Sequence, residues 1–560
     1  MNILGIWDGH DAGACIVSGE KILVAINEER ITKRKLDVGF PKESIKACLK
    51  YANLRPSDIS AVAASTSDFA KTLTRYLPAL KDNYYLFRRR KTGMPLLQDL
   101  RRGFKYRITE IGASKITKKL SEMNIRKQLV KLGFRNFRLH IVEHHLAHAA
   151  SAAYTSGFNK SLVITLDGIG DGLSGTVNIF DNGKIERISS ISGRDSLGIF
   201  YEQATSLLNM RELEDEGKVM ALAGYSNIIP ESKNRMADFF EVKGMDIKSK
   251  HNVIDRYKEL KKILWNSSPE QFAYMTQSTL EKHMVQLFKN CVDKTSLKDV
   301  CWAGGVASNI KANRKVLPYV KKWHIFPHMG DGGLAIGAAL YCNYLLNNIK
   351  GCELNDVYLG PDYDESIFIK KIKKNKFKIE KCSDITSKVS GILCKENFVL
   401  WFQGRMELGP RALGNRSILA PADSMKIRDE LNLKIKQRSW FQPFCPSLLE
   451  EDADKVFYNV KQYDKFMVMG YDAKENAVDK IKAVVSSDNT ARPQMLGNEN
   501  KIFRELLENV KKEKGIGVLL NTSFNLHGYP IVNTPEDAFE VFAKTQSKYL
   551  AIGDYLIIKK

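Results

Sequence analysis

Two histidines and two aspartates in this sequence have the types and spacing of a metal site. His144 and His148 stand four residues apart in V-E-H-H-L-A-H-A-A, so on a helix their imidazoles lie on the same face. Asp167 stands in L-D-G-I-G-D-G and Asp331 in H-M-G-D-G-G, each at a glycine turn. Two nitrogen and two carboxylate ligands suit a divalent metal of intermediate softness, such as iron, manganese or zinc.

A histidine pair on a helix is more often a packing feature than a ligand pair. The i, i+4 spacing, together with two aspartates in glycine turns, reverses that expectation, and the sequence predicts a metal centre. His145 points away from the pair and is predicted to pack or to support the ligands.

The elements that must position these residues are strands ending in acidic glycine turns. The segment N-I-L-G-I-W-D-G-H-D-A-G-A-C-I-V-S-G-E-K-I-L-V-A-I predicts strand, turn, strand, hairpin and strand, and S-L-V-I-T-L-D-G-I-G-D-G-L-S-G-T-V-N-I-F-D-N-G-K-I has the same form. This indicates an internal duplication with halves beginning near Asn2 and Ser161. Such halves would form a cleft in which the acidic turns face a phosphate–metal group, in a fold of the α/β class.

Two further segments, D-V-C-W-A-G-G-V-A-S-N and H-I-F-P-H-M-G-D-G-G, predict a strand, a glycine turn and a helix start. Backbone N–H groups at such turns bind phosphate. The sequence therefore predicts nucleotide contacts at Gly304, Gly305, Asn309 and Gly330.

A chain of 560 residues is too long for one hydrophobic core, so we expect two domains. The composition changes near residues 345–360, which predicts domains at 1–350 and 351–560. Residues 67–138 are basic and irregular and are predicted to form a largely helical insertion, either a lid or an acceptor-recognition element.

The second domain is rich in arginine and glycine. The loop G-R-M-E-L-G-P-R-A-L-G-N-R-S holds Arg405, Arg411 and Arg416, and the basic residues Lys434, Lys436, Arg438 and Arg492 follow. Arginines among glycines beside strand ends are suited to bidentate gripping of phosphate. This favours an anion site over surface salt bridges.

The net charge is +22, with 86 Lys and Arg against 64 Asp and Glu. Such a field attracts nucleotides, phosphorylated sugars, acidic polysaccharides, nucleic acid or anionic lipid, although lysines also simply solvate surface helices. Basic runs lie at Arg88–Lys91, at Arg101–Arg102 and at 370–378. The charge alone does not select a partner.

We expect a cytoplasmic protein. The nine cysteines contain no C-x-x-C pair, which is typical of reduced, packed thiols. The first residues do not resemble a signal peptide, and no stretch reaches the roughly 18 apolar residues of a membrane span. The oligomeric state stays open, a homodimer included.

Several motifs in a fixed order carry a family resemblance. They are W-D-G-H-D-A, N-E-E-R-I-T-K-R-K, E-H-H-L-A-H-A-A-S-A, L-D-G-I-G-D-G, D-E-G-K-V-M-A-L-A-G-Y, A-G-G-V-A-S-N, G-D-G-G-L-A-I-G-A-A, G-R-M-E-L-G-P-R-A-L-G-N-R-S-I-L-A and N-T-S-F-N-x-x-G. With them the chain resembles the O-carbamoyltransferases that include the nodulation-factor, cephem and aminoglycoside enzymes. The match covers nearly the whole chain except 67–138 and the linker.

The resemblance implies a duplicated, actin-like (ASKHA) N-terminal domain similar to the metal-dependent tRNA threonylcarbamoyl transferases. It implies a C-terminal α/β domain similar to the YrdC-like enzymes that make threonylcarbamoyl-adenylate. The C-terminal domain would join carbamoyl phosphate and ATP into carbamoyl-adenylate and release pyrophosphate. The N-terminal domain would then transfer the carbamoyl group to an acceptor hydroxyl.

The resemblance also assigns residues. The metal, most simply iron(II), would be held by His144, His148, Asp167 and Asp331, and Mg²⁺ is a further candidate cofactor. Carbamoyl phosphate would be held by Arg411, Lys436 and Arg492, with Arg405, Arg416 and Asn521 as further ligand contacts. The base at the acceptor hydroxyl would be His10 backed by Asp8, with Asp215 as a second acidic partner and Lys35 guiding the intermediate.

Two departures weaken the anion site. The chain has F-Q-P-F-C-P, with Gln442 where the family pattern has arginine, and L-H-G-Y-P, with His527 where a basic residue is expected. Lys434 or Arg438 could compensate.

Two other functions compete with this one. The first is a tRNA-modifying threonylcarbamoyl-transferase-like enzyme or a kinase-like relative of the actin fold, which would lack the G-R-M-E-L-G-P-R-A-L-G-N-R-S segment. The second is a non-catalytic nucleic-acid-binding protein, which the acidic turns oppose because they would repel a polyanion. We therefore expect no obligatory nucleic acid. The acceptor itself (sugar, antibiotic, lipid-linked glycan or modified nucleoside) is not encoded in any motif.

Overall fold

Apolar strands and small-residue helices build both parts of this chain. A computed structural model describes residues 1–90, 108–372 and 376–560. It divides into a first unit, Met1–Glu28 with Leu36–Leu354, and a second unit, Glu29–Lys35 with Asn355–Lys560. The sequence did not predict that Glu29–Lys35 belongs to the second unit.

The strands of the first unit follow the predicted hairpin patterns. They are β1 (Asn2–Trp7), β2 (Gly13–Ser18), β3 (Lys21–Asn27), β4 (Ile59–Ser65), β5 (Arg138–Val142), β6 (Lys160–Gly170), β7 (Leu173–Asp181), β8 (Lys184–Ser192), β9 (Phe240–Lys243), β10 (Asp246–Ser249), β11 (Asp299–Ala303) and β12 (Lys322–Ile325). One sheet has the order β3-β2-β1-β4-β5 and another has the order β12-β11-β6-β7-β8.

The two sheets share one topology. In each, the first three strands in sequence form antiparallel hairpins, β1-β2-β3 and β6-β7-β8. The next two strands then add in parallel beside the first strand, as β4 and β5 in one sheet and β11 and β12 in the other. This is the arrangement that the predicted duplication of the two halves requires, and both sheets are mixed.

Helices cover these sheets. Through the first unit and its excursion into the second they are α1 (Glu29–Thr32), α2 (Lys42–Tyr51), α3 (Phe69–Tyr76), α4 (Pro78–Arg88), α5 (Lys115–Lys131), α6 (His144–Thr155), α7 (Leu197–Leu207), α8 (Glu216–Leu222), α9 (Val253–Trp265), α10 (Pro269–Thr295), α11 (Ile310–Val316) and α12 (Leu334–Asn347). Helices α3, α4 and α5 lie within 67–138, the predicted insertion; residues 91–107, with Arg101 and Arg102, lie outside the described residues.

Helices α6 and α12 pack with almost no side chain between them. A Cβ at Gly337 would lie 1.9 Å from the Ala147 carbonyl oxygen of α6, and α12 approaches β1 as closely, since a Cβ at Gly5 would lie 2.1 Å from the Ala335 oxygen. Only glycine permits these approaches, because any side chain would overlap a backbone atom. The close packing fixes the helix that begins at His144 against the helix that follows Asp331.

The second unit is built around one large sheet with the order β13-β22-β21-β14-β15-β20-β16-β19. Its strands are β13 (Phe377–Lys381), β14 (Val399–Phe402), β15 (Arg416–Pro421), β16 (Cys445–Leu449), β17 (Tyr471–Asp472), β18 (Thr490–Ala491), β19 (Gln494–Leu496), β20 (Val518–Ser523), β21 (Tyr549–Ile552) and β22 (Tyr555–Lys559). Strands β17 and β18 form a separate ladder.

The helices of the second unit pack apolar faces on that sheet. They are α13 (Glu365–Ile369), α14 (Ile385–Leu393), α15 (Met425–Glu430), α16 (Ala453–Val456), α17 (Val478–Ile481), α18 (Lys501–Lys514) and α19 (Pro535–Lys544). Trp401, Leu419 and Phe503 lie in its fully buried core. The excursion Glu29–Lys35 is held in this unit by the buried Arg30, which donates to the Gly409 carbonyl at 2.7 Å.

In the described part of the chain, no helix is both long and apolar enough to span a membrane.

Candidate functional site

The metal-type cluster forms where helix α6 begins. Glu143 precedes the helix, and its carboxylate accepts a hydrogen bond from the Leu146 N–H at 2.8 Å. Asp171 adds a second anchor, because its carboxylate accepts from the N–H groups of His144 at 2.8 Å and Ser67 at 2.9 Å. These two carboxylates fix the start of the helix, so His144 has a defined position in the first turn.

The four predicted ligands come together. One atom from each of His144, His148, Asp167 and Asp331 lies within 4.8 Å of the other three. The His144 Nε2 is 3.3 Å from Asp167 Oδ2 and 3.7 Å from Asp331 Oδ1, and the His148 Nε2 is 3.5 Å from Asp331 Oδ1. Ligands on bonds of about 2.1 Å around a tetrahedral ion lie about 3.4 Å apart, so this donor set fits a small divalent ion.

The bonding of the histidines agrees with that fit. Both ring nitrogens of His148 are buried and, among the described residues, have no hydrogen-bond partner. The His144 Nδ1 instead lies 3.0 Å from the Thr66 hydroxyl, which orients its Nε2 toward the carboxylates. Burial alone would lower the pKa of His144, but Asp331 and Asp167 outweigh it and raise the pKa to about 9.

His145 has the packing position that the sequence predicts. Its Nδ1 lies 2.9 Å from the Thr165 hydroxyl and its Nε2 lies 3.0 Å from the Leu173 carbonyl. Burial, with the neighbouring His144, lowers the pKa of His145 to about 4. It is therefore a neutral core residue that ties α6 to β6 and β7.

His10 lies beside the cluster. Its Nδ1 is 3.5 Å from Asp331 Oδ2, and its ring packs on Tyr85 with centroids 5.3 Å apart. Burial lowers the pKa of His10, although Asp331 acts in the opposite direction. A neutral imidazole at this position can accept a proton.

The sequence predicts that Asp8 supports His10, but in the structure its carboxylate binds basic side chains instead. Its carboxylate accepts hydrogen bonds from Arg75 at 2.8 and 3.0 Å and forms an ion pair with Lys71 at 2.8 Å. Burial would raise the pKa of Asp8, but Arg75 and Lys71 outweigh it and hold the pKa well below its ordinary value. The carboxylate adjacent to His10 is Asp331, while Asp8 fastens α3 to the end of β1.

We expect Arg75→Met to lower the free energy of unfolding by about 3 kcal/mol, because it leaves a buried carboxylate short of its bidentate partner. Arg55→Met is the matched control, since Arg55 forms a solvent-exposed pair with Asp58. Urea denaturation of the two variants measures the difference. Equal stability of both variants would contradict the structural role given to Arg75 and Asp8.

Two arginines of the basic run at the end of α4 form ion pairs with glutamates of the same unit. Arg88 contacts Glu202 and Glu212, the latter at 2.8 Å, and Arg89 contacts Glu214 at 2.6 Å. These side chains are nearly fully buried. Arg88 and Arg89 therefore fasten α4, which carries Tyr85, rather than presenting free charge to a polyanion; Lys91, the last residue of the run, lies outside the described residues.

The turn after β11 lies against the C-terminal part of β6. The Gly305 N–H donates to Asp167 Oδ1 at 2.6 Å. Gly304 has φ +100, and a Cβ there would lie 2.1 Å from the Leu166 carbonyl oxygen. Only glycine fits both the left-handed conformation and the close approach.

We expect Gly304→Ala to lower the free energy of unfolding by about 2 kcal/mol and to weaken metal binding. The added Cβ would strain the backbone and overlap the Leu166 carbonyl, and would so displace Gly305, whose N–H holds Asp167. Gly217→Ala is the control: among the described residues no atom lies within 4 Å of a Cβ there. Thermal melting with and without added metal tests both variants. Unchanged melting of Gly304→Ala would contradict the argument.

The other predicted residues of the first unit have local partners. The Asn309 side chain accepts from the Ala312 N–H at 3.0 Å at the start of α11 and exchanges hydrogen bonds with Gln277. Gly330 immediately precedes Asp331 in the turn before α12. The Asp215 carboxylate accepts from the Arg211 N–H at 3.0 Å and pairs with Lys218 at 2.9 Å.

In the second unit, Arg411 and Arg492 form a site of unbalanced positive charge. Burial lowers the pKa of Arg411, and the neighbouring Arg492 lowers it further, to about 9. Among the described residues Arg411 has no hydrogen-bond partner, and Arg492 donates to the Cys445 sulfur at 3.1 and 3.3 Å. Two half-buried guanidinium groups, close enough for Arg492 to lower the pKa of Arg411, provide the electrostatics of an anion site.

The sequence predicts that Arg405 and Arg416 bind phosphate, but in the structure both donate to backbone carbonyls. Arg405 donates to the carbonyls of Gly360 at 3.0 Å and Leu359 at 2.9 Å. Arg416 is fully buried, donates to the Gly404 carbonyl at 2.9 Å, and stacks over the ring of Phe402 at 3.6 Å. Both side chains hold the loop that presents Arg411. The sequence could not distinguish these two uses of an arginine.

Lys436 and the N-T-S-F-N motif meet in the second unit. The Lys436 ammonium donates to Asn525 Oδ1 at 2.7 Å and also contacts Ser523. Burial lowers the pKa of Lys436 well below its ordinary value, with Arg438 and Lys35 acting in the same direction. Lys35 therefore adds positive charge near Lys436.

Other residues at this site keep polar atoms available. Asn521 donates to the Ala412 carbonyl at 3.1 Å, while its own Oδ1 is buried and, in the described part of the chain, unpaired. Gln442 Oε1 and Arg438 Nη2 are likewise buried and have no hydrogen-bond partner among the described residues. His527 is exposed. Buried polar atoms without a protein partner indicate a polar pocket that a ligand or water would fill.

Sequence reasoning missed Lys71, Arg75, Tyr85 and Asp171. The i, i+4 spacing of Lys71 and Arg75 was a usable signal for one helix face, but nothing nearby in the sequence pointed to Asp8. Asp171 stands in the quoted L-D-G-I-G-D-G motif, where its distance of four from Asp167 could have marked it as a support residue.

The chain matches known families along most of its length. Residues 2–340 match the family described as Carbamoyltransferase N-terminus, and residues 390–559 match the one described as Carbamoyltransferase C-terminus. It is 32% identical to uncharacterized protein MJ1051 of Methanocaldococcus jannaschii, over 100% of this chain and 99% of that protein. It is 31% identical to nodulation protein NolNO of Sinorhizobium fredii, over 98% of this chain and 79% of that protein.

Solved structures are more distant. HypF of T. kodakarensis aligns with a TM-score of 0.35 and 16% identity, covering 62% of this chain and 48% of that one. Component A of the Acidaminococcus fermentans (R)-2-hydroxyglutaryl-CoA dehydratase also has a TM-score of 0.35, with 14% identity and coverage of 61% and 97%. TM-scores this low support no argument. The two family matches, with full-length relatives above 30% identity, show that the chain belongs to the carbamoyltransferase family and is a transferase.

Proposed function

We propose that the protein is an ATP-dependent O-carbamoyltransferase that makes carbamoyl-adenylate from carbamoyl phosphate and ATP and transfers the carbamoyl group to an acceptor hydroxyl. The observation that carries the proposal is the position of His10, 3.5 Å from Asp331 in the four-ligand cluster. A proton acceptor beside a candidate metal centre is what attack by an alcohol on an acyl-phosphate anhydride needs.

For the first step, the second unit offers Arg411, Arg492 and Lys436. Forming the anhydride brings two polyanions together, so cations without acidic partners are required. The step consumes carbamoyl phosphate, ATP and one water, and releases pyrophosphate and inorganic phosphate. Arg411 and Arg492 would hold the phosphate of carbamoyl phosphate, and Lys436 would lie beside the polar N-T-S-F-N turn.

For the second step, His10 would remove the proton from the acceptor hydroxyl as its oxygen bonds to the carbamoyl carbon, and AMP would leave. His144, His148, Asp167 and Asp331 would hold the metal. When bound, an ion such as iron(II) supplies positive charge that stabilises the phosphate of the leaving AMP. The Gly330 N–H, in the turn before α12, would serve the same phosphate, whereas the N–H groups of Gly304 and Gly305 already donate to Met329 and Asp167.

The fold assignment is also part of the proposal. Two sheets of the same strand order support an actin-like first domain. A mixed sheet with the buried basic residues Arg416 and Lys436 supports a YrdC-like second domain. We further propose that the two units correspond to these two activities, with a cytoplasmic location and a small-molecule or glycan acceptor.

The decisive experiment measures pyrophosphate release from ATP by the purified protein with iron(II) and carbamoyl phosphate and without an acceptor. We expect release that requires carbamoyl phosphate, together with carbamoyl-adenylate detectable by mass spectrometry. Release that is independent of carbamoyl phosphate, or no release at all, would overturn the proposed chemistry. Hydrolysis of only the γ-phosphate would instead indicate a kinase-like enzyme.

A further inference from the structure

Helix α5 has a buried face and, opposite to it, an exposed apolar face. Its buried face contains Thr117, Ser121, Ile125 and Leu129, which recur every four residues against the rest of the insertion. The large apolar residues Ile116, Leu120, Met123 and Val130 are 73%, 39%, 57% and 54% exposed. At about 100° per residue these four fall within an arc of about 80° on the opposite side of the helix.

A second exposed apolar stripe lies beside the first. Phe69, Leu73 and Tyr76 recur on one face of α3 at i, i+4 and i+7, and they are 41%, 37% and 47% exposed. The two helices are in direct contact, because the Tyr76 hydroxyl donates to the Leu120 carbonyl at 2.9 Å and Thr72 bonds to Ser121 at 2.9 Å. The stripes therefore form one continuous surface, here named the α3–α5 surface.

Positive charge surrounds this surface. The α5 sequence K-I-T-K-K-L-S-E-M-N-I-R-K-Q-L-V-K has six basic residues and one acidic residue. Its lysines and its arginine are exposed. Lys119 and Arg126 flank the apolar stripe on one side, Lys131 flanks it on the other, and Lys127 lies within it.

We infer that the α3–α5 surface is a docking site for an anionic lipid bilayer. An apolar stripe bordered by lysines is the pattern with which a helix lies in the interface of a membrane, burying its apolar residues below the headgroups and pairing its cations with acidic lipid. The aromatic rings of Phe69 and Tyr76 suit the same depth.

Charge and chemistry separate this occupant from two others. A second copy of the chain would bring two strongly basic helices together, which like-charge repulsion opposes. A nucleic acid would satisfy the lysines but would leave Ile116 and Met123 against phosphates, where apolar side chains gain nothing. Only a partner that is both apolar and anionic complements the whole surface.

The test is co-sedimentation of the full-length protein with phosphatidylcholine vesicles, with and without a third of phosphatidylglycerol. We expect binding to the anionic vesicles that weakens at least tenfold in I116S/M123S and in K119E/K127E. The matched control is I228S/W265S, which removes two residues that are 84% and 89% exposed elsewhere in the first unit. This control should bind as the unaltered protein does.

Several outcomes would overturn the inference. They are no binding of the unaltered protein to anionic vesicles, equal binding by I116S/M123S, or an equal loss in I228S/W265S. Loss of self-association in I116S/M123S, or RNA binding sensitive to K119E/K127E alongside no vesicle binding, would reassign the surface. Thermal melting of each variant excludes misfolding, and because vesicle binding needs no substrate, the result is independent of the proposed function.

Discussion

His148→Ala is expected to lose metal binding and acceptor carbamoylation while it keeps carbamoyl-phosphate-dependent pyrophosphate release. Both ring nitrogens of His148 are buried and, in the described part of the chain, unpaired by protein. Its Nε2 faces Asp331 Oδ1 at 3.5 Å, which is the separation expected of two ligands to one ion. Loss of a supporting residue around a metal costs roughly 10- to 100-fold, so loss of a ligand should lower transfer by more than about 100-fold.

Three measurements separate the outcomes. Elemental analysis gives the metal content, radiolabelled carbamoyl phosphate gives transfer to an acceptor hydroxyl, and a coupled assay gives pyrophosphate. The control is His140→Ala, a histidine of the same unit that lies on strand β5 outside the cluster. An equal fall of transfer and pyrophosphate release would contradict the division of labour between the units, and full retention of metal would contradict the ligand set.

The complementary prediction concerns the anion site of the second unit. Arg492→Ala should reduce carbamoyl-phosphate-dependent pyrophosphate release by about 100-fold, which corresponds to about 2.7 kcal/mol of transition-state stabilisation. The reason is that burial lowers the pKa of Arg411 and the neighbouring Arg492 lowers it further, so the two cations repel each other. Their charge is thus left for an incoming anion to balance.

The control for Arg492→Ala is Arg428→Ala, which removes an arginine paired on the surface with Asp429 at 2.7 Å. Initial rates at varied carbamoyl phosphate should show a raised KM for that substrate, while metal content stays unchanged. If Arg492→Ala lowers the metal content instead, the side chain acts on the fold rather than on the substrate. If its rates equal those of the control, the proposed phosphate site is wrong.

The sequence was most informative where the signal was local. The spacing of His144 and His148 predicts a shared helix face, and the glycine turns predict that Asp167 lies near a strand end and Asp331 just before a helix. The structure has both, with the four side chains together. Their role as ligands stays a prediction. The repeated strand pattern likewise predicts two sheets of one topology, because hairpins are encoded by adjacent residues.

Long-range pairing could not be predicted in this way. Asp8 contacts Arg75 across 67 positions of the chain, and no local pattern links them. Arg405 and Arg416 have the composition of a phosphate loop, but their guanidinium groups bind backbone carbonyls of their own unit. A one-dimensional pattern records that an arginine lies in a glycine-rich loop, but it does not record which acceptor lies nearest in space.

The seven-residue excursion Glu29–Lys35 has a consequence for how such a protein can evolve and be engineered. Because Arg30 is buried at Gly409 within the second unit, a fragment beginning at Asn355 would lack a piece of its own core. A single crossover between two homologous genes near residue 355 would pair this excursion from one parent with the rest of the second unit from the other. Viable chimaeras should therefore need a second exchange that carries Glu29–Lys35 along, so that this segment and Asn355–Lys560 come from the same parent.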